Sequence, residues 1–326
     1  MDPFWFKDGR FPLYLAPMAG VTGFIFRALC REFGADVTVT EFVSAEGVLQ
    51  AWGRNRRYIA FEESRRPVGV QLFGAAPRAL GEAARIIMNE VRPDFIDLNA
   101  GCPVPKVVGR NGGASLLKDL PLLQEAARAV VLAVGGDAPV TAKIRIGWDA
   151  ESVCALEACQ RLEEAGIAAI AVHGRTRSQQ YGGKADWRMI DACARACRVP
   201  VVGNGDIASP EDVLRVRRET AVSGVMIGRA AMADPWIFPR AKICLATGEV
   251  PPPPSVSERA AFLVREAELE VAAGREVGEA ASLRALRARL LAQARLLPGS
   301  RQERPRLSRV SSLRELREIL SPWLSA

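Results

Sequence analysis

Residues 140–175 read VTAKIRIGWDAESVCALEACQRLEEAGIAAIAVHGR. Two short apolar runs, Val140–Ile144 and Ala169–Val172, flank one longer helical stretch, and polar residues follow each run: Lys143-Ile144-Arg145 and His173-Gly174-Arg175. Strands buried on both faces read as near-continuous hydrophobic runs, so this is a strand–helix–strand unit of a parallel sheet. The pattern repeats outward in both directions. Upstream lie Leu13–Ala16, Val37–Thr40, Val68–Leu72 and Phe95–Leu98, and downstream Val199–Val202 and Gly224–Ile227. Eight candidate strands separated by seven helical stretches predict an α/β fold closed as a (β/α)8 TIM barrel rather than an open sheet.

Pro251-Pro252-Pro253-Pro254 ends the repeat, because four prolines cannot continue a helix and favour a stiff extended segment. The expected organisation is therefore a barrel over residues 1–250, a linker over 251–254 and a small C-terminal helical domain over 255–326. In the last of these, Leu283, Leu286, Leu290 and Leu297 stand at helical spacing, and Ser312-x-x-Glu315 reads as a capping box before Leu316 and Leu320.

Composition agrees with this division. A chain of 326 residues that is 49% hydrophobic can bury one large core of roughly 250 residues plus an appendage, which argues against disorder. Lys7, Asp8 and Arg10 interrupt any apolar run of a signal peptide between Met1 and Gly20, and no stretch approaches a membrane span. A soluble, cytoplasmic protein is expected. Seven scattered cysteines and one histidine suit free thiols, with Cys154/Cys159 and Cys193/Cys197 as helix packing, and no metal set is expected. The net charge of +7 is carried mainly by arginine, whose planar fork suits phosphate, so a nucleic-acid partner is permitted.

Polar and Gly-rich segments fall just after the strands, at the barrel end that carries active sites. After the seventh and eighth strands stand Gly203-Asn204-Gly205-Asp206 and Ile227-Gly228-Arg229. Two such loops, one with an arginine to neutralise charge, point to a phosphate-bearing cofactor. Lys143 ends the fifth strand, where a cation would stabilise negative charge on the N1/O2 edge of a reduced flavin, and His173 ends the sixth beside Gly174-Arg175. No Gly-x-Gly-x-x-Gly opens a helix after a strand, so a nicotinamide reductant would bind only transiently. Cys102, between Gly101 and Pro103 after the fourth strand, is the one cysteine in a mouth loop. A thiol there can act as a general acid or, as thiolate, as a nucleophile, and spacing leaves both open.

These residues resemble the tRNA-dihydrouridine synthases, nearest their DusB-type branch, from about Ala16 to about Phe238. The similarity rests on Ala16-Pro17-Met18-Ala19-Gly20-Val21-Thr22, Asp97-Leu98-Asn99-Ala100-Gly101-Cys102-Pro103, Lys143-Ile144-Arg145, His173-Gly174-Arg175-Thr176-Arg177, Gly203-Asn204-Gly205-Asp206-Ile207 and Ile227-Gly228-Arg229. The resemblance implies reduction of a uracil C5=C6 bond in D-loop tRNA by FMNH2, itself reduced by NADPH. Hydride would pass from flavin N5 to C6, and Cys102 would protonate C5 from the opposite face. It further implies FMN held by Pro17, Met18, Ala19, Gln71, Lys143, His173, Asn204, Gly205, Asp206, Gly228 and Arg229. Asn99, Arg145, Arg175 and Arg177 would hold the target uridine and nearby phosphates, and Lys106 would order the cysteine loop or touch substrate.

Between Arg275 and Arg309 stand nine arginines against Glu276, Glu279 and Glu303. Arg284, Arg287 and Arg295 share one stripe of the expected helices and are candidate tRNA contacts. No membrane, metal or protein partner is implied. Two positions depart from the family pattern. Ile146 replaces a common threonine, and Arg287-Ala288-Arg289-Leu290-Leu291 lacks the Lys-His or Lys-Tyr pair followed by Trp-Tyr. The competing functional readings are an FMN barrel reducing a free pyrimidine or another small unsaturated carbonyl compound, and a tRNA-binding protein without catalysis.

Overall fold

The structure is a computed structural model that describes residues 3–325. Met1, Asp2 and Ala326, at the outer ends of the expected barrel and helical domain, lie outside the described residues. The strands are β1 (Leu13–Leu15), β2 (Val37–Val39), β3 (Val43–Ser44), β4 (Val68–Phe73), β5 (Phe95–Ala100), β6 (Val140–Arg145), β7 (Ala169–His173), β8 (Val201–Asn204) and β9 (Gly224–Ile227). All pair in parallel, and the β1–β9 and β2–β4 pairings close the ring, as the repeating unit predicts. Sequence boundaries placed the seventh strand at Val199–Val202, but Pro200 has no N–H to donate, so the ladder starts at Val201.

The second barrel strand is interrupted. Val39 is opposite Gly69 and Val43 is opposite Leu72, so the three residues Thr40–Phe42 face only Val70 and Gln71. This one-residue bulge is repaired by Thr40, whose Oγ1 accepts the Gln71 N–H at 3.1 Å. It also turns Phe42 toward the mouth, edge-on to Phe73 at 5.2 Å.

Strand alternation separates two apolar layers. Leu13, Leu15, Leu72, Ile96, Ile144 and Val172 face the helices, whereas Tyr14, Val37, Val39, Phe95, Val202 and Met226 form a second cluster inside the ring. Burial on both faces is why the strands read as unbroken hydrophobic runs. Trp5, from the N-terminal turn Phe4–Gly9, joins the inner cluster, donates Nε1 to the Tyr14 hydroxyl and packs on Phe95 at 4.9 Å. The floor of the barrel is thus sealed with aromatic rings.

Gly69 makes room for that floor, since a Cβ there would lie 2.1 Å from the Phe95 ring. Gly69→Ala is expected to destabilise the protein by about 3 kcal/mol through overpacking. Thermal melting checks this, and an unchanged Tm would show that the floor is not packed in this way.

After the prolines come helices Val256–Ala273, Glu279–Ala294, Arg304–Leu307 and Leu313–Leu324, with a core of their own that includes Leu283, Leu286, Leu290 and Leu297. Ser255 and Glu258 form a reciprocal cap at the first of these helices. At the last, Ser312 Oγ accepts the Glu315 N–H at 3.2 Å, but the Glu315 carboxylate accepts from Ser311 rather than Ser312, so the expected box is shared by three residues. These helices dock on the barrel through Arg265–Glu32 at 2.7 Å, Arg259–Asp234 at 3.0 Å and edge-on contacts among Phe33, Trp236 and Phe262. Among the described residues no helix is long and apolar enough to cross a membrane.

Candidate active site

The alternation that places apolar side chains low in the ring places polar ones at its C-terminal end. Register sets Asp97 beside Thr141, Asn99 beside Lys143, Arg145 beside His173 and His173 beside Asn204. Their side chains form a buried relay. Asp97 accepts from Thr141 Oγ1 at 2.6 Å and from Gln71 Nε2 at 2.7 Å. With its amino group held there, Gln71 turns Oε1 to accept Asn99 Nδ2 at 2.9 Å. Asn99 Oδ1 is left to accept the backbone N–H groups of Gly101 at 3.1 Å and Cys102 at 2.9 Å. A fully satisfied buried chain of this kind fixes one orientation for each member, and here it ends on the cysteine loop.

Arg145 braces the same loop from the other side, with Nε on the Gly101 carbonyl and Nη1 on the Thr176 and Gln180 carbonyls. Burial pushes the Cys102 thiol up, and the Val104 N–H, Arg145 and Lys143 only partly oppose this, so the thiol keeps its proton at neutral pH.

Lys143 donates to Asn204 Oδ1 at 3.1 Å, and Asn204 Nδ2 holds the Met226 carbonyl at 2.7 Å. Burial first, and then Arg145, lower Lys143 to about 8, leaving it charged at neutral pH. His173 is lowered to about 2 by burial and by the Lys143, Arg145, Arg175 and Arg229 cations, so its imidazole is neutral. Asp206, held at φ +52°, accepts Arg175 Nη2 with both oxygens at 2.9 Å, Arg229 Nη2 at 3.1 Å and the Ala185 N–H at 2.7 Å. Burial alone would raise its carboxyl, but these donors hold it below its ordinary value. The neighbouring Gly205 has φ +129°, and a Cβ there would lie 2.6 Å from that of Ala185, so neither backbone nor space admits another residue.

Above these groups opens a cavity of about 950 Å³ at the barrel mouth. The dihydrouridine synthase (Dus) family profile matches residues 14–324, nearly the whole described chain. The chain belongs to the dihydrouridine synthase family. A tRNA-dihydrouridine synthase B of Pseudomonas aeruginosa is 40% identical over 299 residues, covering 91% of this chain and 88% of that protein. A probable tRNA-dihydrouridine synthase of Aquifex aeolicus is 42% identical over 234 residues, 72% of each chain. Among solved structures, the 6-hydroxypseudooxynicotine amine oxidase of Pseudomonas geniculata superposes with TM-score 0.57 at 16% identity, over 71% of this chain and 47% of that one, a likeness of fold alone. As a member of this family the protein is an oxidoreductase.

All the residues that the resemblance assigned to the cofactor, from Pro17 through Arg229, line the dihydrouridine synthase cavity, as do Asn99, Cys102 and Arg145. Arg175 does not line it. Its buried guanidinium ties the carbonyls of Gly182 and Gly183 to Asp206, which makes it a strut of the loop after β7. Lys106 is exposed on the short turn Pro105–Val108. Arg177 lies outside the cavity, 4.5 Å over the Trp148 ring, which Lys118 also approaches at 4.8 Å. Arg284 is exposed, whereas Arg287 is half-buried and donates Nη2 to the Arg309 and Val310 carbonyls.

Sequence reasoning gave no role to Asp97, Phe42, Tyr181 or Leu296. Asp97 had a usable signal, since it stands two residues before Asn99 and therefore on the same strand face. Tyr181, under Arg229 at 5.1 Å, and Leu296, which the C-terminal helices bring into the cavity wall, had none. The seven cysteines are free. Cys159 and Cys193 are buried in the barrel's apolar core, and Cys154 and Cys197 pack against it. Among the described residues no His, Cys, Asp or Glu group is arranged to hold a metal.

Proposed function

We propose that this dihydrouridine synthase reduces the C5=C6 bond of uridine in tRNA, with FMN at the barrel mouth, NADPH as transient reductant and Cys102 as proton donor to C5. The observation that carries this reading is a thiol on a loop fixed from both sides, at the edge of a cavity floored by Lys143, where burial raises its pKa. The residues fit a phosphate-bearing flavin. Lys143, Arg145 and Arg229 supply positive charge, the carboxylates of Asp97 and Asp206 are already occupied by protein donors, and Gln71, Asn99 and Asn204 offer neutral amides. Bound FMN supplies the hydride that reduces the uracil ring.

Lys143 and Arg229 neutralise the negative charge that the cofactor brings, in a site where partial exclusion of water strengthens the attraction. His173, held neutral, contributes a hydrogen bond without adding a further charge. The relay from Asp97 through Gln71 and Asn99 holds the Cys102 backbone still, so that the thiol proton meets C5 in one geometry.

A uridine stacked in tRNA reaches this floor only by swinging out, at a cost of a few kcal/mol that backbone contacts must offset. Residues 255–326 form the tRNA-binding domain in this reading. Arg284 and Arg295 are exposed on it, and Leu296 beside Arg295 lines the cavity itself. Lys106 and Arg177 extend the basic rim on the barrel. The protein acts in the cytoplasm on tRNA and uses no metal.

Nucleoside mass spectrometry of a tRNA transcript incubated with the enzyme, FMN and NADPH tests the reaction. One D-loop uridine should gain the mass of two hydrogen atoms. No gain with tRNA, together with reduction of free uracil, would replace this reading by the small-molecule reductase. The RNA interface has its own measurement: neutralising even two phosphates should weaken tRNA binding about tenfold for a fourfold rise in salt, and Arg284→Ala should flatten that slope. A salt-independent affinity would remove the arginine face from the interface.

A further inference from the structure

Arg289 lies at the seam between the C-terminal helices and the barrel, with a side chain 5% exposed, and the chemistry above makes no use of it. On its own side its Nε lies 2.9 Å from the fully buried Glu266 carboxylate and its Nη2 meets Glu270. Gln293 holds the other oxygen of Glu266 at 2.8 Å. Across the seam Nη1 donates to the Val21 carbonyl, and the guanidinium lies 5.2 Å over the Phe26 ring.

Val21 belongs to the turn after β1 that forms one wall of the cavity. Val21 and Thr22 donate their N–H groups to the Met18 carbonyl at 3.0 and 2.9 Å, and the Met18 N–H donates to Thr22 Oγ1 at 2.8 Å. Met18 and Val21 both line the cavity. A shift of the Val21 carbonyl therefore reaches Met18 through three short hydrogen bonds.

A buried ion pair adds little stability over apolar side chains of the same volume, because desolvation offsets the attraction. What a guanidinium supplies is direction, since its donors point along fixed lines in one plane. Here one of those lines ends on Glu270 of the helical region and another on the Val21 carbonyl of the barrel turn, while Glu266 lies 2.9 Å from Nε as a charge partner. We propose that Arg289 is a positioning residue, coupling the seating of the helical region to the shape of the Met18–Thr22 turn and so to the cofactor wall. This rests on the flavin reading given above.

The test separates that role from simple support. In Glu266→Leu/Arg289→Met/Gln293→Leu the buried pair and the amide that holds it become apolar together, so the seam stays packed while the bond to Val21 is lost. Arg289→Lys keeps a charge beside Glu266 and Glu270, but one ammonium cannot also serve the Val21 carbonyl. Each variant is titrated with FMN in its apo form by flavin fluorescence, melted, and assayed on a tRNA transcript with rates counted per bound FMN. Both should bind FMN about tenfold or more weakly, the equivalent of one hydrogen bond to a charged group, and lose kcat on tRNA per bound flavin, while the triple variant melts close to wild type. A lowered Tm with wild-type FMN affinity and wild-type kcat per flavin would reduce Arg289 to a structural strut and overturn the proposal. Wild-type protein that takes up no FMN would overturn the flavin reading itself, and this inference with it.

Discussion

Cys102→Ala protein should bind FMN and be bleached by NADPH at the wild-type rate, yet reduce tRNA uridine about 100- to 10,000-fold more slowly, the range that a positioned general acid contributes. The separation of the two half-reactions is the informative part. Cys102 sits on a loop whose backbone is held by Asn99 and Arg145, not by its own side chain, so truncating the thiol leaves the cofactor wall in place. The pH profile distinguishes acid from nucleophile. Burial raises the thiol above its ordinary range against the pull of Arg145 and Lys143. An acid must hold its proton, so activity should be level through neutrality and fall as pH rises past the thiol pKa. A thiolate nucleophile would show the opposite slope. Full uridine reduction by Cys102→Ala would remove the thiol from the chemistry altogether.

Lys143→Met should weaken FMN binding by about 10- to 100-fold, the worth of a hydrogen bond involving a charged group, and at the same time stabilise the cofactor-free protein. Burial lowers the lysine from 10.5 to about 8. Between those values the unfolded chain holds a proton that the folded one has lost, so apo stability rises as pH climbs from about 8 toward 10.5. Below pH 8 the folded protein carries the whole burden of a buried charge, about 3 kcal/mol at ~1.36 kcal/mol per unit. Methionine removes that burden but leaves Asn204 Oδ1 without its donor, which takes back about 1–2 kcal/mol. Apo Lys143→Met should therefore melt higher than apo wild type at pH 7, and the difference should shrink at pH 10. FMN affinity equal to wild type would show that Lys143 does not face the cofactor.

The barrel was legible because strand and helix periods are local. Val140–Ile144 and Ala169–Val172 announce themselves within a few residues, and so do the turns that follow them. The cavity lining was legible for the same reason, since residues just past a barrel strand converge on one mouth whatever the helices between them contain. The bulge at Thr40–Phe42 was not, because it is defined only against the partner strand, where two residues lie opposite three. Nor could the sequence show that Tyr181 and Leu296 complete the cavity wall, because long loops and a separate helical layer carry them there.

By itself, then, the sequence determined the (β/α)8 ring, the end of it at which the polar loops converge, the family and the thiol at the mouth, all through short-range patterns and contiguous motifs. Tertiary structure decided what each cation does. Arg145, Arg175, Arg177, Arg229, Arg287 and Arg289 are alike as letters, yet they brace the cysteine loop, bind Asp206, stack on Trp148, face the cavity, close a helix onto Val310 and join two cores. A guanidinium at the end of a flexible stem takes whichever carboxylate, carbonyl or ring the closed chain brings within reach. For Arg289 and Val21 that partner lies 268 residues away, a separation that no local pattern encodes.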